Sequence, residues 1–283
     1  MNETRPPHPS GPPDAAPPDA AGLERVPAQR VDTTTGEPAD ERCAVVVETP
    51  LTIMVDQVGS FTIMCTPCDV EALAVGFAFS EGLICSADEI VECVYRPGQQ
   101  VVGLQLEDPA QLGPGRNLIV TSSCGLCGSR NIDALRAGQF AVGDSLRLPA
   151  ASLRSAAEQM RTAQRLFSQT GGTHAAAIFD ADGRLLAFAE DIGRHNALDK
   201  AIGKCLLDGV PLSGQAAILS GRVSLELVAK AARARLEVVA GVSAPSSLAI
   251  EVAQRCRITL CGFVREQRAT VFSHSHRIGR SGS

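Results

Sequence analysis

The feature that most constrains how this 283-residue chain can fold is the alternation of short apolar runs and helical stripes after residue 150. Ser152–Ser168 sets Leu153, Ala156, Ala157, Met160, Ala163 and Phe167 on one helical face behind a serine N-cap. Ala175–Phe179 and Arg184–Ala189 read as strands joined by the turn Asp180-Ala-Asp-Gly183. A helix over Asn196–Leu207 follows, then strand Ala216–Leu219, helix Val223–Ala234, strand Glu237–Val242 and helix Ser246–Arg255. Strands Ile258–Val264 and Thr270–Ser273 close the pattern. The order αββαβαβαββ is that of a layered α/β domain whose helices cover the sheet, here assigned to residues 151–283.

Residues 43–150 have another rhythm. Ala44–Glu48, Leu51–Val55, Phe61–Met64, Val91–Tyr95, Val101–Leu106 and Asn117–Thr121 are short, β-branched-rich runs separated by Gly, Pro, Asp or Gln. Asp69–Glu81 interrupts them with a helical stripe behind Pro67 and Asp69. This is a β-rich domain with one embedded helix, ending in a dithiol loop. Residues 1–42 hold nine of the 17 prolines and no apolar period, so they read as a disordered tail.

Composition removes several classes. A net charge of -5, 4% aromatics and no Trp disfavour nucleic-acid binding. The longest apolar runs are too short to span a membrane. The N-terminus shows no apolar signal core, so a cytoplasmic protein with reduced thiols is expected of its ten cysteines. Cys93, Cys205, Cys256 and Cys261 lie in apolar surroundings and read as small core residues.

The sharpest chemical signal is Cys124-Gly-Leu-Cys127-Gly128, between a strand-like run and the helix start Asn131-Ile-Asp. A thiol near a helix N-terminus meets unpaired N–H groups and a positive dipole end, which favour thiolate. Thiolate is the form that attacks sulfur and carries it as a persulfide. A second pair, Cys65-Thr-Pro-Cys68, opens the rival reading of a tetrathiolate zinc module built from Cys65, Cys68, Cys124 and Cys127. The 55 residues between the pairs exceed the usual spacing of about 15–20.

His174, in Gly171-Gly-Thr-His174, invites comparison with zinc nucleoside deaminases, which need a Glu two residues later and a downstream Pro-Cys-x-x-Cys. Position 176 is Ala and the dithiol lies upstream, so deaminase chemistry is not expected. Glu190-Asp-Ile-Gly-Arg194-His195, Ser220-Gly-Arg222 and Ser243-Ala-Pro-Ser-Ser247 are three strand-to-helix junctions, the place where α/β sheets bind anionic ligands. Arg194 and His195 suit phosphates, and Asp191 or Asp199 suits an amine edge such as guanine's. Arg265 and Arg268, three apart between the last two strands, suit phosphate or pyrophosphate. Each also has a plain reading as a solvated cap or charged hairpin.

In order and spacing the chain resembles the formate dehydrogenase accessory sulfurtransferase family, FdhD, over residues 44–274. The carriers are Thr66-Pro-Cys-Asp-Val-Glu-Ala-Leu-Ala-Val-Gly-Phe77, Ser80-Glu-Gly82, Ser123-Cys-Gly-Leu-Cys-Gly128, Gly172-Thr-His-Ala175 and Glu190–Lys200. Ser220-Gly-Arg222, Ser243-Ala-Pro245 and Gly262-Phe263 complete them. The resemblance implies a cytidine-deaminase-like fold for the C-terminal domain without deaminase chemistry. It implies a cytoplasmic homodimer that receives persulfide sulfur from a cysteine desulfurase. Sulfur then passes to the bis-molybdopterin guanine dinucleotide molybdenum cofactor needed by formate dehydrogenase.

On the same ground Cys124 is the expected persulfide carrier, with Cys127 assisting. The stretch Phe263, Val264, Arg265, Glu266, Gln267 and Arg268 matches the family's cofactor-binding segment. His174, Arg194, His195 and Arg222 join it as expected ligand contacts. The Pro-rich leader and Cys65 are not family features. A cofactor chaperone without sulfur transfer stands beside the zinc module as an alternative.

Overall fold

In the computed structural model, which describes residues 22–108, 118–119 and 140–279, the chain opens with a β-hairpin. Strands β1 (Leu23–Val31) and β2 (Pro38–Val46) pair from Leu23↔Val46 to Val31↔Pro38. Residues 22–42 are thus not a disordered tail. Composition missed the hairpin because it buries little: most of it is exposed, and it pairs its backbone within itself. Gln29 and Asp40 hydrogen-bond across the strands, and Arg30 pairs with Glu41. Its base packs on the body, with Gly22 against Thr66 and Leu166 and Val46 against Gly172.

The next segment builds a five-stranded sheet of order β5-β6-β3-β4-β7. Its members are β3 (Thr49–Val55), β4 (Gly59–Cys65), β5 (Ile90–Arg96), β6 (Val101–Leu106) and β7 (Leu118–Ile119). Helix α1 (Val70–Glu81) lies between β4 and β5 in sequence, and ten of its 12 residues are buried. A helix apolar all round must be covered on every side, and α1 is sandwiched between this sheet and a later helix.

The second half supplies β8 (Leu148–Pro149), α2 (Ala150–Ala163), α3 (Arg165–Thr170), β9 (His174–Phe179), β10 (Leu185–Asp191) and α4 (Arg194–Leu207). It continues with β11 (Ala216–Leu219), α5 (Leu225–Arg233), β12 (Val238–Gly241), α6 (Ser247–Arg255), β13 (Thr259–Arg265), β14 (Arg268–Ser273) and β15 (Ile278–Gly279). Six strands form one sheet, β10-β9-β11-β12-β13-β14, with β11, β12 and β13 parallel and the others antiparallel to their neighbours. Alternate residues of a strand point to opposite faces. Ala176, Ile178, Ala217 and Leu219 join the core with α1, α4, α5 and α6. Ala175, Ala177, Ala216 and Ile218 join Leu153, Ala156 and Met160 of α2. This is the layered α/β fold expected, and one core cluster runs through both halves of the chain.

Two differences from expectation matter for the site. The single helix Ser152–Ser168 is two helices, broken at Gln164. The break is tertiary: the Glu190 carboxylate accepts from the Leu166 and Phe167 N–H groups at 2.9 and 2.8 Å and from the Thr173 hydroxyl at 2.7 Å. Capping the first turn of α3 outweighs continuation of α2. The second is the crossing of α1 and α4, where a Cβ on Gly76 would lie 1.8 Å from Asp199 O and one on Gly203 1.8 Å from Ala72 O. Only glycine permits that approach.

Candidate functional site

Because β11, β12 and β13 are parallel, their carboxyl ends share one edge of the sheet. The antiparallel register Leu219↔Ala176 brings the start of β9 to that edge, and Asp191↔His174 brings the end of β10 there too. His174, Arg194, Ser220-Gly-Arg222 and Ser243 therefore converge, at the edge where open α/β sheets bind ligands. The junctions are stitched together by backbone. Val223 pairs with Pro245, Val223 N–H donates to Ala244 O, and Phe263 N–H donates to Ser243 O.

A cavity of about 820 Å³ opens beside this edge. One wall is His174, Ser220, Val242 and Val264-Arg265-Glu266-Gln267; the other is Arg154, Arg161, Gln164 and Phe167 of α2 and α3. No local sequence motif marks the α2–α3 wall. Its one visible signal was Gln164, a polar residue interrupting the apolar stripe between Ala163 and Phe167.

His174 is half-buried, with its ring against Gly221, where a Cβ would come within 3.2 Å of Nδ1. Burial pushes its pKa below the usual value, the Arg194 and Arg222 charges push the same way, and Asp191 partly offsets them. Arg194 has a buried Nε with no hydrogen-bond partner. An orphaned guanidinium donor beside a neutralised histidine is the environment a bound anion would satisfy. Arg222 is exposed at the mouth of its junction.

Arg265 and Arg268 are cross-strand partners closing the Glu266-Gln267 turn, both exposed. Like charges directly opposite each other repel, and an anion between them removes the cost. Phe263 sits in the left-handed region at φ 53, inside a register shift between β13 and β14. That conformation is unfavourable for a non-glycine residue and is held here by the Ser243 hydrogen bond. Its ring is 40% exposed and tilted against Phe272, with centroids 6.4 Å apart.

Other sequence candidates point elsewhere. His195 is buried, with Nε2 3.3 Å from Ser224 Oγ and 3.9 Å from Glu226 Oε2, so it supports the start of α5. Glu226 titrates below its usual range: burial raises it, but hydrogen bonds from Ser224 and its own N–H, with the His195 and Arg194 charges, prevail. Asp191 and Asp199, considered as guanine readers, do not face the cavity. Asp191 is fully buried, paired with Lys200 and accepting from Thr66 N, Gly193 N and Asn196 Nδ2. Asp199 is paired with Lys230 at 2.7 Å and accepts from the Ser80 hydroxyl.

Cys124 and Cys127 lie outside the described residues. The strand that leads to them, β7, pairs parallel with β4, whose last residue is Cys65. Cys65 is fully buried, and burial, with Asp191 adding to it, pushes its thiol up to about 12. Burial also raises Cys205 and Cys261 to about 12, and Cys93 and Cys256 to about 11. Among the described residues no group of three or more His, Cys, Asp or Glu is arranged to hold a metal. A tetrathiolate would need Cys124 and Cys127.

The fold and the site together define a layered α/β protein with an anion-suited cavity at the carboxyl edge of its parallel strands. Residues 46–279 match the sequence profile of the FdhD/NarQ family, and the chain belongs to that family. It is 42% identical over 249 residues to the sulfur carrier protein FdhD of Streptomyces avermitilis, covering 83% of this chain and 88% of that one. The sulfur carrier protein FdhD of Picrophilus torridus is 40% identical over 240 residues, covering 83% and 91%. A crystal structure from Desulfotalea psychrophila, described as a formate dehydrogenase accessory protein, superposes with a TM-score of 0.75 at 27% identity, covering 91% of this chain and 100% of that one. Among the described residues no helix is long and apolar enough to cross a membrane.

Proposed function

We propose that this protein is a sulfur carrier in formate dehydrogenase maturation, taking persulfide sulfur from a cysteine desulfurase and passing it to the bis-molybdopterin guanine dinucleotide molybdenum cofactor. The observation that carries the reading is the convergence of His174, Arg194, Arg222 and the Phe263–Arg268 hairpin on one sheet edge beside a cavity of about 820 Å³. An extended, multiply phosphorylated substrate needs several separated cationic contacts. The orphaned Arg194 Nε and the opposed Arg265 and Arg268 supply them, and the exposed Phe263 ring adds an apolar face. The names of the relatives support the carrier role.

In the sulfur step, the Cys124 thiolate attacks the outer sulfur of the desulfurase persulfide. A Cys124 persulfide forms and the desulfurase thiolate leaves. Cys127 thiolate then attacks the inner Cys124 sulfur, releasing hydrosulfide to the bound cofactor and closing a Cys124–Cys127 disulfide. The dithiol thus provides the two electrons that take sulfane sulfur to sulfide. Cytoplasmic action as a homodimer belongs to the same reading.

Intact mass spectrometry after incubation with a cysteine desulfurase and cysteine tests it. One added sulfur mapped to Cys124 is expected in the wild type and in Cys127→Ser, and none in Cys124→Ser. Full formate dehydrogenase activity in cells carrying only Cys124→Ser would overturn the carrier assignment and favour a cofactor chaperone. About one tightly held zinc per chain, with unfolding on chelation, would favour the zinc module.

A further inference from the structure

The second dithiol, Cys65-Thr-Pro-Cys68, has no part in that reaction. Cys65 ends β4, Cys68 stands one residue before Asp69, the N-cap of α1, and the Cys68 N–H closes the turn on Thr66 O at 2.8 Å. The turn is pinned: Thr66 N–H donates to Asp191, and Thr66 O also accepts from Lys200 Nζ at 2.9 Å. Cys65 is fully buried, whereas Cys68 is only half-buried and lines an open cavity of about 1350 Å³ with Asp69, Gln159, Thr162 and Lys204. This is a different opening from the one that takes His174 and Arg265.

We infer that Cys65 and Cys68 form a redox-active dithiol, with Cys68 as the entry thiol for small disulfides and Cys65 as the resolving thiol. Lys200 Nζ stands 3.7 Å from Cys68 Sγ, a positive charge beside the sulfur that favours its thiolate. Burial leaves the Cys68 thiol raised, Asp69 and Asp191 add to the rise, and the Lys200 charge and hydrogen bond offset part of it. Thr66, between the two cysteines, binds Asp191 through its N–H and Lys200 through its carbonyl, so the turn that carries both thiols is anchored on one ion pair. Oxidation strands no cation, because Lys200 keeps Asp191, Thr66 O and Glu190 O as partners when Cys68 leaves it.

The chemistry is thiol–disulfide exchange. Cys68 thiolate attacks a small disulfide RSSR, giving a Cys68–SR mixed disulfide and RS⁻. Cys65 thiolate attacks the Cys68 sulfur, closing the Cys65–Cys68 bond and releasing the second RS⁻. Two protein thiols are oxidised, RSSR is reduced to two RSH, and the two thiol protons end on the leaving thiolates.

The test uses the full-length protein and oxidised glutathione, followed by thiol blocking and cleavage before aspartates. Asp56–Cys68 then carries Cys65 and Cys68 alone, while Cys124 and Cys127 fall on residues 108–132, so the two dithiols are read separately. The expected result is loss of both blockable thiols from Asp56–Cys68 and a mass lower by about 2 Da, with the circular dichroism unchanged. Cys65→Ser should instead trap glutathione on Cys68. A wild-type peptide that keeps both thiols blockable would overturn the inference, as would a Cys68→Ser protein in which Cys65 reacts at the wild-type rate.

Discussion

Lys200 Nζ and the Asp191 carboxylate stand 2.7 Å apart with neither side chain exposed. Lys200 also donates to Thr66 O and Glu190 O, and Asp191 accepts from Thr66, Gly193 and Asn196. The pair joins the turn after β4 to the junction that starts α4 and carries Arg194. Burial alone would lower the Lys200 pKa, but the Asp191 charge and hydrogen bond, with Cys68 and Cys65, together outweigh it and leave it raised. Lys200→Met leaves a buried carboxylate unpaired, which typically costs about 3–5 kcal/mol. Urea unfolding should show that loss, and Asp191→Asn added to Lys200→Met should restore part of it. A loss under about 1 kcal/mol would show that the pair does not hold the junction.

The α1–α4 crossing makes a second prediction. Gly76→Ala or Gly203→Ala puts a methyl 1.8 Å from a backbone oxygen, so the helices must separate. Overpacking of this kind costs about 1–3 kcal/mol, and more where backbone must move. The control is Gly98→Ala, which meets nothing within 4 Å. Thermal unfolding should separate the two crossing variants clearly from Gly98→Ala.

What the sequence disclosed follows what local patterns encode. Strand Ala216–Leu219 was read to the residue because an apolar run bounded by Gly-Gln and Ser-Gly leaves no other register. The three junctions were legible as turn chemistry, and parallel strands then put them on one edge. The hairpin Leu23–Val46 was illegible because its stability comes from cross-strand pairing without an apolar face. The α2–α3 break depends on Glu190, 26 residues downstream of Gln164, which no local window contains. Asp191 and Asp199 looked like ligand readers because a charged motif does not show which of its carboxylates already has a buried lysine.

Arg265 and Arg268 make a prediction of opposite signs. In the ligand-free protein they face each other across a two-residue turn, so Arg268→Ala should leave stability unchanged or raise it by a few tenths of a kcal/mol. On the proposed function, the same change removes a charge-assisted contact to phosphate, worth about 1.5–3 kcal/mol. Calorimetric titration with GDP, as a fragment of the cofactor, should then show affinity falling roughly 10–100-fold. Equal GDP affinity in wild type and Arg268→Ala would remove this arginine from the site.

His174 sets the sign of the pH dependence. Its pKa is depressed, by burial first and then by Arg194 and Arg222, so in the free protein it is neutral at neutral pH. A phosphate bound beside it would favour the imidazolium and raise that pKa. The liganded state then holds more protons than the free state, and affinity rises as pH falls from the liganded pKa to the free one. For one proton the gain is at most about tenfold per pH unit. GDP titrations in buffers of different ionisation enthalpy should show fractional proton uptake in wild type and none in His174→Gln. Binding that weakens on acidification, or proton uptake that survives His174→Gln, would place the titrating group elsewhere.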